Sequence, residues 1–447
     1  MGFLQSAPAH IAWPASTGID SKPNSRSLSD LKNRSEKMTG RGQILTMLKA
    51  NNCSIGRKSG EIWTGQALLQ PISFKSGRFL DKTSIRLPGL PSFLAICFLV
   101  YCLAISSAGA AKPQFSPVIQ SIPLTFPRDF GAHPAFRNEW WYVTGWLETP
   151  DKKPLGFQIT FFRVATEHDR ANPSRFAPNQ LIIAHAALSD PTLGKLLHDQ
   201  KSAREGFGLA YTREGNTDVK LDDWTMLREE NGRYQTRIKG QDFTLNFSLT
   251  PAQPPMLQDY QGFSRKGPRP EQASYYYSEP QLQVKGTVTR NGKETAVSGI
   301  AWLDHEWSTA YLDPSANGWD WVGANLDDGS ALMAFQIRGK DGVTVWAYAG
   351  IRDASGRFTR FEPDQVKFEP QRTWRSPHTD ATYPVAMRIQ TGSTVWLLTP
   401  LMDDQELDSR QSTGAVYWEG AVTITRDGKP AGRGYLELTG YVEPLKL

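Results

Sequence analysis

The stretch Phe243-Thr-Leu-Asn-Phe-Ser-Leu-Thr250 alternates apolar and polar residues without a break. The same period of two recurs in Leu282-Gln-Val-Lys-Gly-Thr-Val-Thr289, and again at Phe157, Ile159 and Phe161. Successive side chains of a β-strand point to opposite faces of the sheet, so this alternation predicts strands with one buried face.

Dipeptides typical of tight hairpins separate these runs. They are Asn231-Gly232, Asn291-Gly292, Asp328-Gly329, Asp341-Gly342 and Asp427-Gly428. Asn, Asp and Gly tolerate the positive φ angles that two-residue β-turns require. Because no long amphipathic helix interrupts the pattern, the sequence predicts an antiparallel all-β chain, folded as a sandwich or a barrel.

A weak internal repeat indicates two copies of one β-unit. Trp140-Trp-Tyr-Val-Thr-Gly-Trp-Leu147 is followed by a turn and Gly156-Phe-Gln-Ile159. Trp319-Asp-Trp-Val-Gly-Ala-Asn-Leu326 is followed in the same way by Ala334-Phe-Gln-Ile337. Both segments read as aromatic hairpins that end in Phe-Gln-Ile.

At 447 residues the chain is also too long for one ordinary core. We therefore predict two β-domains, residues 112–280 and 281–447. The boundary is expected after the segment Ser264-Arg-Lys-Gly-Pro-Arg-Pro270, which is rich in turn-forming and basic residues.

The N-terminal part is predicted to direct export. Residues 93–105 form an apolar run of signal-peptide length, short for a membrane span, and Ala108-Gly-Ala110 resembles a cleavage site. We predict a signal peptide over residues 78–111 and a periplasmic or secreted protein, with an uncleaved membrane anchor as the alternative. The polar residues 1–77 are either a disordered leader or the result of a start site assigned too early.

Composition narrows the classes of function. The formal net charge is +5 with scattered Lys and Arg, so no basic stripe indicates nucleic-acid binding. The 14 Trp residues favour large cores or pockets for apolar ligands. No phosphate-binding, dinucleotide-binding or zinc-protease motif occurs, and the seven His are far apart. We predict no cofactor and no metal.

The hexapeptide Trp302-Leu-Asp-His-Glu-Trp307 is the strongest candidate for acid–base chemistry. In an extended strand, Trp302, Asp304 and Glu306 share one face, while Leu303, His305 and Trp307 share the other. Flanking carboxylates can raise the pKa of His305, which would suit a proton donor, and a Trp on its face can stack on a cation. A purely structural hydrogen-bond network is the equally weighted alternative.

Other polar and aromatic residues are predicted mainly to be structural. Tyr275, Tyr276 and Tyr277 place phenols on both faces of a strand, where they either orient a ligand or pack between strands. Glu139, beside two Trp, needs a partner if buried, and Arg137 is the candidate, with His133 nearby. His185 lies in an apolar strand, and we predict that it is a core residue whose ring nitrogens have hydrogen-bond partners.

Six ordered motifs resemble the AttH/carotenoid-hydratase family, over about residues 126–441. They are His133-Pro-x-Phe-x-x-Glu-Trp-Trp-Tyr-x-x-Gly145, Ala184-His-x-Ala-x-Ser-Asp190, Ala273-Ser-Tyr-Tyr-Tyr-Ser278, Trp302-x-Asp-His-Glu-Trp307, Gly318-Trp-Asp-Trp321 and Tyr417-Trp-Glu-Gly420. The resemblance implies two lipocalin-like antiparallel β-barrels in tandem, in which a barrel interior holds an apolar ligand.

In the hydratase branch, the resemblance implies cofactor-free addition of water to an isoprenoid double bond. His305 and Trp307 match its His-x-Trp pair, and Asp304 is a candidate acid. The next strand, Ala331-Leu-Met-Ala-Phe-Gln-Ile337, lacks the Tyr and Asp of that branch. The aromatic residues Trp302, Trp319 and Trp321, with the three tyrosines, are candidate ligand contacts, and Glu306 is assigned to the polar network.

Three functions follow, in order of preference. The first is an exported protein that binds an isoprenoid-like or lipid-like ligand in a β-barrel. The second is a cofactor-free carotenoid 1,2-hydratase-like hydro-lyase, so enzyme activity stays open. The third, which the family resemblance implies, is an accessory protein of an ABC-type exporter, with an inner-membrane permease as its partner.

Overall fold

The computed structural model describes residues 114–168 and 172–445, so the predicted leader and signal peptide lie outside the described residues. Apart from two 3-10 helices, Arg128–Phe130 and Pro363–Gln365, the regular structure of this part is entirely β. None of its helices has the length and hydropathy needed to cross a membrane. The predicted all-β class is confirmed.

The first sheet has thirteen strands. Their bounds are β1 (Asn138–Glu148), β2 (Pro154–Ala165), β3 (Gln180–Asp190), β4 (Lys195–Arg204), β5 (Ala210–Thr212), β6 (Asp218–Leu221), β7 (Trp224–Arg228), β8 (Tyr234–Lys239), β9 (Phe243–Thr250), β10 (Met256–Leu257), β11 (Phe263–Arg265), β12 (Ala273–Arg290) and β13 (Lys293–Ser308). Their order is β4-β3-β2-β1-β13-β12-β9-β8-β7-β6-β5, with β10 and β11 paired to β12.

The second sheet has ten strands. Their bounds are β14 (Ala316–Leu326), β15 (Ala331–Gly339), β16 (Thr344–Arg352), β17 (Phe358–Phe361), β18 (Val366–Arg375), β19 (Thr382–Thr391), β20 (Thr394–Pro400), β21 (Glu406–Ser409), β22 (Ala415–Arg426) and β23 (Lys429–Leu438). Their order is β17-β16-β15-β14-β23-β22-β20-β19-β18, with β21 paired to β22.

The two sheets repeat one connectivity. In each, the first four strands are neighbours in chain order, and the last strand returns to pair with the first, as β13 does with β1 and β23 with β14. The aromatic hairpins of the sequence repeat are β1–β2 and β14–β15, which occupy equivalent places. The prediction of two tandem, lipocalin-like antiparallel barrels is confirmed.

The second sheet begins later than the sequence indicates. The predicted boundary after residue 280 falls inside β12, and both β12 and β13 belong to the first sheet. A β-bulge between Glu279 and Leu282, with Gln281 at a φ of 62°, marks this position instead. The turn-rich segment 264–270 leads only from β11 to β12. The sheets change between Ser308 and Ala316.

Three large apolar clusters and one small one hold the described part of the fold together. One fills the interior of the first sheet and one the interior of the second, each built from alternate residues of its strands. Phe243–Thr250 shows this alternation directly, with each apolar side chain buried. The third cluster lies between the sheets and includes Tyr142, Trp146, Trp302 and Trp321. Trp146 Nε1 donates to the Gly434 carbonyl at 2.8 Å and so ties the sheets together.

Candidate ligand cavity between the two sheets

A cavity of about 300 Å³ lies between the two sheets. Its walls come from β1, β2, β3, β12 and β13 on one side, and from β14, β15, β22 and β23 on the other. The sequence predicted that a ligand binds inside a barrel, but the interiors of the two barrels are filled by their own apolar cores. The cavity is formed instead by strand faces that would be outer surfaces of a single barrel.

Alternation along β13 decides which predicted residues reach this cavity. Asp304 and Glu306 line it, and Trp302 lies in the apolar cluster beside it. Leu303 and Trp307 point to the other side and belong to the core of the first sheet. The predicted division of the hexapeptide into two faces is therefore correct, and the face without His305 is the one that meets the cavity.

Asp304 is a buried carboxyl with three hydrogen-bond donors. Tyr276 OH donates to Oδ2 at 2.6 Å, while Ser278 Oγ and Trp302 Nε1 donate to Oδ1 at 2.6 and 2.7 Å. Burial raises the pKa of Asp304 to about 7, although these donors act in the opposite direction. A substantial fraction of this carboxyl is therefore protonated at neutral pH.

Glu306 differs from Asp304 because it has a cationic partner. Lys266 Nζ lies 2.9 Å from Glu306 Oε1, and Ser274 Oγ donates to the same oxygen. The ammonium is buried and lies 4.6 and 4.5 Å from the ring centroids of Tyr276 and Phe335. Burial lowers the pKa of Lys266. Glu306 thus sits in a polar network, the role predicted for it, with partners that the sequence did not indicate.

The second sheet contributes two further carboxyls. Glu419 on β22 and Glu437 on β23 are directly opposed, and Tyr142 OH donates across the sheets to Glu419 Oε2 at 2.6 Å. Burial raises the pKa of both carboxyls, and the charge of Glu437 adds to the rise at Glu419. The pKa of Glu437 reaches about 8, although a hydrogen bond from Trp319 acts in the opposite direction. Glu437 is only half-buried because it faces the cavity. It is the carboxyl best placed to meet a ligand.

Aromatic rings form most of the remaining wall. Trp140 and Tyr311 meet edge to face at 5.1 Å, and Tyr311 lies 6.1 Å from Trp319. Trp321 Nε1 donates to Tyr276 OH at 3.0 Å, which fixes both rings. Such surfaces favour unsaturated apolar groups and can stabilise a positive charge through their π faces.

His305 and Trp307 lie inside the first barrel and do not line the cavity, although Glu139, which His305 contacts, is one of the lining residues. His305 Nε2 donates to Glu139 Oε1 at 2.9 Å, and Nδ1 lies 3.1 Å from Tyr277 OH. The predicted rise in the pKa of His305 is wrong. Burial lowers this pKa to about 4, because desolvation of the cation outweighs the effect of Glu139. The imidazole is neutral at physiological pH.

Glu139 is the centre of this internal network. Arg163 Nε donates to Oε2 at 2.7 Å and His133 Nδ1 to Oε1 at 2.7 Å. Burial alone would raise the pKa of Glu139, but Arg163 and the imidazoles hold it well below its ordinary value. The predicted partner Arg137 is wrong. It precedes β1 and pairs with Glu167 at 3.6 Å, whereas Arg163 is directly opposite Glu139 on β2.

Donor atoms of His133, Glu139 and His305 lie within 4.8 Å of one another, so these described residues could hold a metal ion. The same three side chains also have partners without a metal ion. Arg163 neutralises Glu139, and both imidazoles hydrogen-bond to Glu139. His133 additionally stacks on Trp307, with ring centroids 3.7 Å apart.

His185 bridges the two sheets as a fully buried residue. Its Nδ1 lies 2.6 Å from Tyr417 OH, and its Nε2 lies 2.9 Å from Ser412 Oγ. Burial lowers the pKa of His185 to about 3, so the ring is neutral. Both ring nitrogens have partners, and His185, Ser412 and Tyr417 all border the cavity.

The predicted aromatic contacts divide in the same way. Tyr276, Trp319 and Trp321 line the cavity. Tyr275 and Tyr277 point into the first barrel, where Tyr275 OH donates to the Ile119 carbonyl at 2.9 Å.

The sequence did not single out Tyr142, Lys266, Tyr311, Glu419 or Glu437, all of which line the cavity. Glu419 belongs to the motif Tyr417-Trp-Glu-Gly420, but its sequence context indicated no function for it. One local signal was available: Glu437 lies between apolar residues of a strand, in Tyr435-Leu-Glu-Leu438, where a buried carboxyl is unusual.

Comparison with known proteins gives one clear family. The AttH-like family model matches residues 117–441. A Nitrosomonas europaea protein that carries the AttH name has a crystal structure at 2.00 Å resolution. It is 69% identical, covers 73% of this chain and 100% of its own, and has a TM-score of 0.70. Kievitone hydratase from Nectria haematococca is 16% identical over 75% of this chain and 98% of its own, with a TM-score of 0.55. No curated protein matches.

Proposed function

We propose that this chain, which belongs to the AttH-like family, binds an apolar, unsaturated ligand of isoprenoid or other lipid type in the cavity between its two sheets. The observation that carries the proposal is the aromatic wall formed by Trp140, Phe162, Tyr311, Trp319 and Trp321 around a few convergent polar groups. Apolar walls with sparse, well-placed polar groups are typical of small-molecule sites.

The cavity volume limits the size of the ligand. About 300 Å³ is at the lower end of the range for small-molecule sites. An extended carotenoid is far longer than such a cavity, so only one end of it could be enclosed. Shorter isoprenoids fit the volume better.

Binding of farnesol to the purified protein is the first prediction. We expect calorimetric titration to show binding, and Trp319→Ala to weaken it by about tenfold because part of the apolar wall is lost. Trp374→Ala, in the second sheet outside the cavity lining, is the matched control and should leave binding unchanged. Absence of binding, together with no apolar compound in an organic extract of the protein, would contradict the proposal.

A second candidate function is the addition of water to a carbon–carbon double bond. The observation that favours it is the pair of carboxyls with raised pKa, Asp304 and Glu437, beside aromatic faces. A protonated carboxyl can transfer its proton to one alkene carbon, leaving a carbocation on the other. Water then adds to the cation and loses a proton to the carboxylate, which restores the acid.

The fold alone is compatible with such chemistry, since kievitone hydratase has a similar one. In this cavity Glu437 is the better proton donor, because Asp304 is enclosed by three donors, whereas Glu437 is partly exposed and has the Trp319 ring as its donor. Tyr311 and Trp319 would stabilise the cation through their π faces.

Hydration of a small terpene alkene is the second prediction. With geraniol as substrate, we expect a product heavier by one water, and Glu437→Gln should lower its rate by about 10²–10⁴-fold, the usual effect of removing a general acid. Glu443→Gln, an exposed change just beyond β23, is the control. An unchanged rate in Glu437→Gln would remove Glu437 from the mechanism, and no product with any isoprenoid would leave binding alone.

A further inference from the structure

We propose that one exposed patch of the first sheet docks on an anionic phospholipid surface. The docking patch consists of three apolar side chains and three basic ones: Phe176, Phe207, Leu209, Arg175, Arg204 and Lys220. It lies outside the cavity lining and does not depend on the function proposed for the cavity.

The apolar members are exposed and close together. Phe176, Phe207 and Leu209 are 67%, 50% and 61% exposed. The rings of Phe176 and Phe207 lie 5.4 Å apart although they come from different loops, one before β3 and one after β4. Single exposed apolar residues are common on protein surfaces, whereas a cluster of large ones indicates a surface that binds a protein or a membrane.

The backbone presents Phe207 to solvent at a cost in strain. Gly206, Phe207 and Gly208 have φ angles of 134°, 56° and 71°, and a phenylalanine in the left-handed region is unfavourable. The turn is closed by the Gly206 N–H, which donates to the Ala210 carbonyl at 2.8 Å. A Cβ added at Gly206 or Gly208 would meet no atom within 4 Å, so the tip of this turn stands clear of the protein.

Basic side chains surround the apolar ones. The Arg204 guanidinium lies 5.0 Å from the Phe176 ring centroid and 5.2 Å from that of Phe207, and Arg175 lies 5.8 Å from Phe207. Lys220 Nζ donates to the Gly208 carbonyl at 3.1 Å. Within the part of the chain that the structure describes, Arg175, Arg204 and Lys220 form no ion pair with a carboxylate.

This combination is complementary to the interface of an anionic bilayer. Phenyl and leucyl side chains lose contact with water when they enter the boundary between headgroups and acyl chains, which lowers their free energy. Neighbouring cations are stabilised by the negative charge of the headgroup phosphates. The three cations form no ion pair within the described residues, so their charge favours an anionic surface over a neutral or cationic one. An acidic protein surface is the competing partner, and the experiment distinguishes it.

The test is vesicle flotation with protein comprising residues 112–447. This part excludes the predicted signal segment, which could itself bind lipid. We expect it to fold alone, because the whole chain of the Nitrosomonas europaea relative covers only 73% of this one and has a similar structure, with a TM-score of 0.70. We expect the protein to float with equimolar phosphatidylcholine–phosphatidylglycerol vesicles at low salt, and about tenfold less with phosphatidylcholine alone or at high salt.

The double variant Phe176→Ser/Phe207→Ser should reduce binding to the anionic vesicles by about tenfold, and Arg204→Gln should reduce it in part. Val343→Ser is the matched control, since Val343 is 61% exposed in a turn of the second sheet. If the double variant loses its fold, as seen by circular dichroism, Leu209→Ser provides the same test. Equal flotation of wild type and patch variants would overturn the proposal. Wild-type protein that floats with neither vesicle would also overturn it and would favour an acidic protein partner.

Discussion

Replacing Glu139 with alanine is expected to lower the free energy of unfolding by about 3–5 kcal/mol, the usual cost of breaking a buried ion pair. Glu139 and Arg163 are essentially inaccessible to solvent, and the carboxylate also accepts hydrogen bonds from His133 and His305. Its removal leaves the Arg163 cation buried without its counter-ion and leaves two imidazoles without their acceptor. Most of the cost arises from the groups left behind.

Denaturant unfolding at neutral pH measures this effect, and the chain provides a matched control. Glu369 is directly opposite Arg388 on β18 and β19, just as Glu139 is opposite Arg163, but the Glu369 side chain is 47% exposed. Glu369→Ala should therefore cost only about 0.2–1 kcal/mol. If both variants lowered the free energy of unfolding by similar amounts, burial would not determine how much an ion pair contributes to stability.

Asp304→Asn is expected to change how stability depends on pH. The pKa of Asp304 is raised from 3.8 to about 7 in the folded protein, so between these values the folded chain binds a proton that the unfolded chain has released. The stabilising contribution is complete below pH 4, decreases as the pH rises from 4 to 7, and is lost above about pH 7. Three pKa units correspond to about 4 kcal/mol, of which about 3 kcal/mol is lost above pH 5.

The comparison of wild type and Asp304→Asn at pH 5 and pH 8 isolates this contribution, because other titrating groups are common to both proteins. We expect wild-type stability to fall more than that of the variant between the two pH values. Asp151→Asn is the control: Asp151 is exposed and its pKa is about 2, so it stays ionised throughout this window. Parallel pH profiles for wild type and Asp304→Asn would show that burial does not raise this pKa.

The sequence predicted the class of fold and the faces of β13, because both depend on the local period of two. It could not show which face of β13 is occupied by the cavity, since that depends on strands more than a hundred residues away, such as β22 and β23. For the same reason Glu437 and Lys266 had no role before the structure. Their neighbours are distant in sequence, and single residues in a strand pattern do not reveal what lies across from them.

The errors at His305 and Arg137 have the same physical origin. Two flanking carboxylates suggested a charged His305, but strand geometry turns Asp304 and Glu306 to the opposite face and leaves the imidazole desolvated. Arg137 is close to Glu139 in sequence, yet the hairpin register puts Arg163 directly opposite. Proximity along a β-strand is a weaker guide to ion pairs than register between strands.

The shared connectivity of the two sheets has a consequence for the origin of the acid groups. Asp304 on β13 and Glu437 on β23 occupy equivalent last strands of the two halves, on faces that an isolated barrel would expose to water. There they would be ordinary surface acids, ionised at neutral pH. Their protonation is therefore a property of the pair and is absent from either half. Splitting the chain after Ser308 would therefore return both carboxyls to water and lower their pKa values, even if both halves still folded.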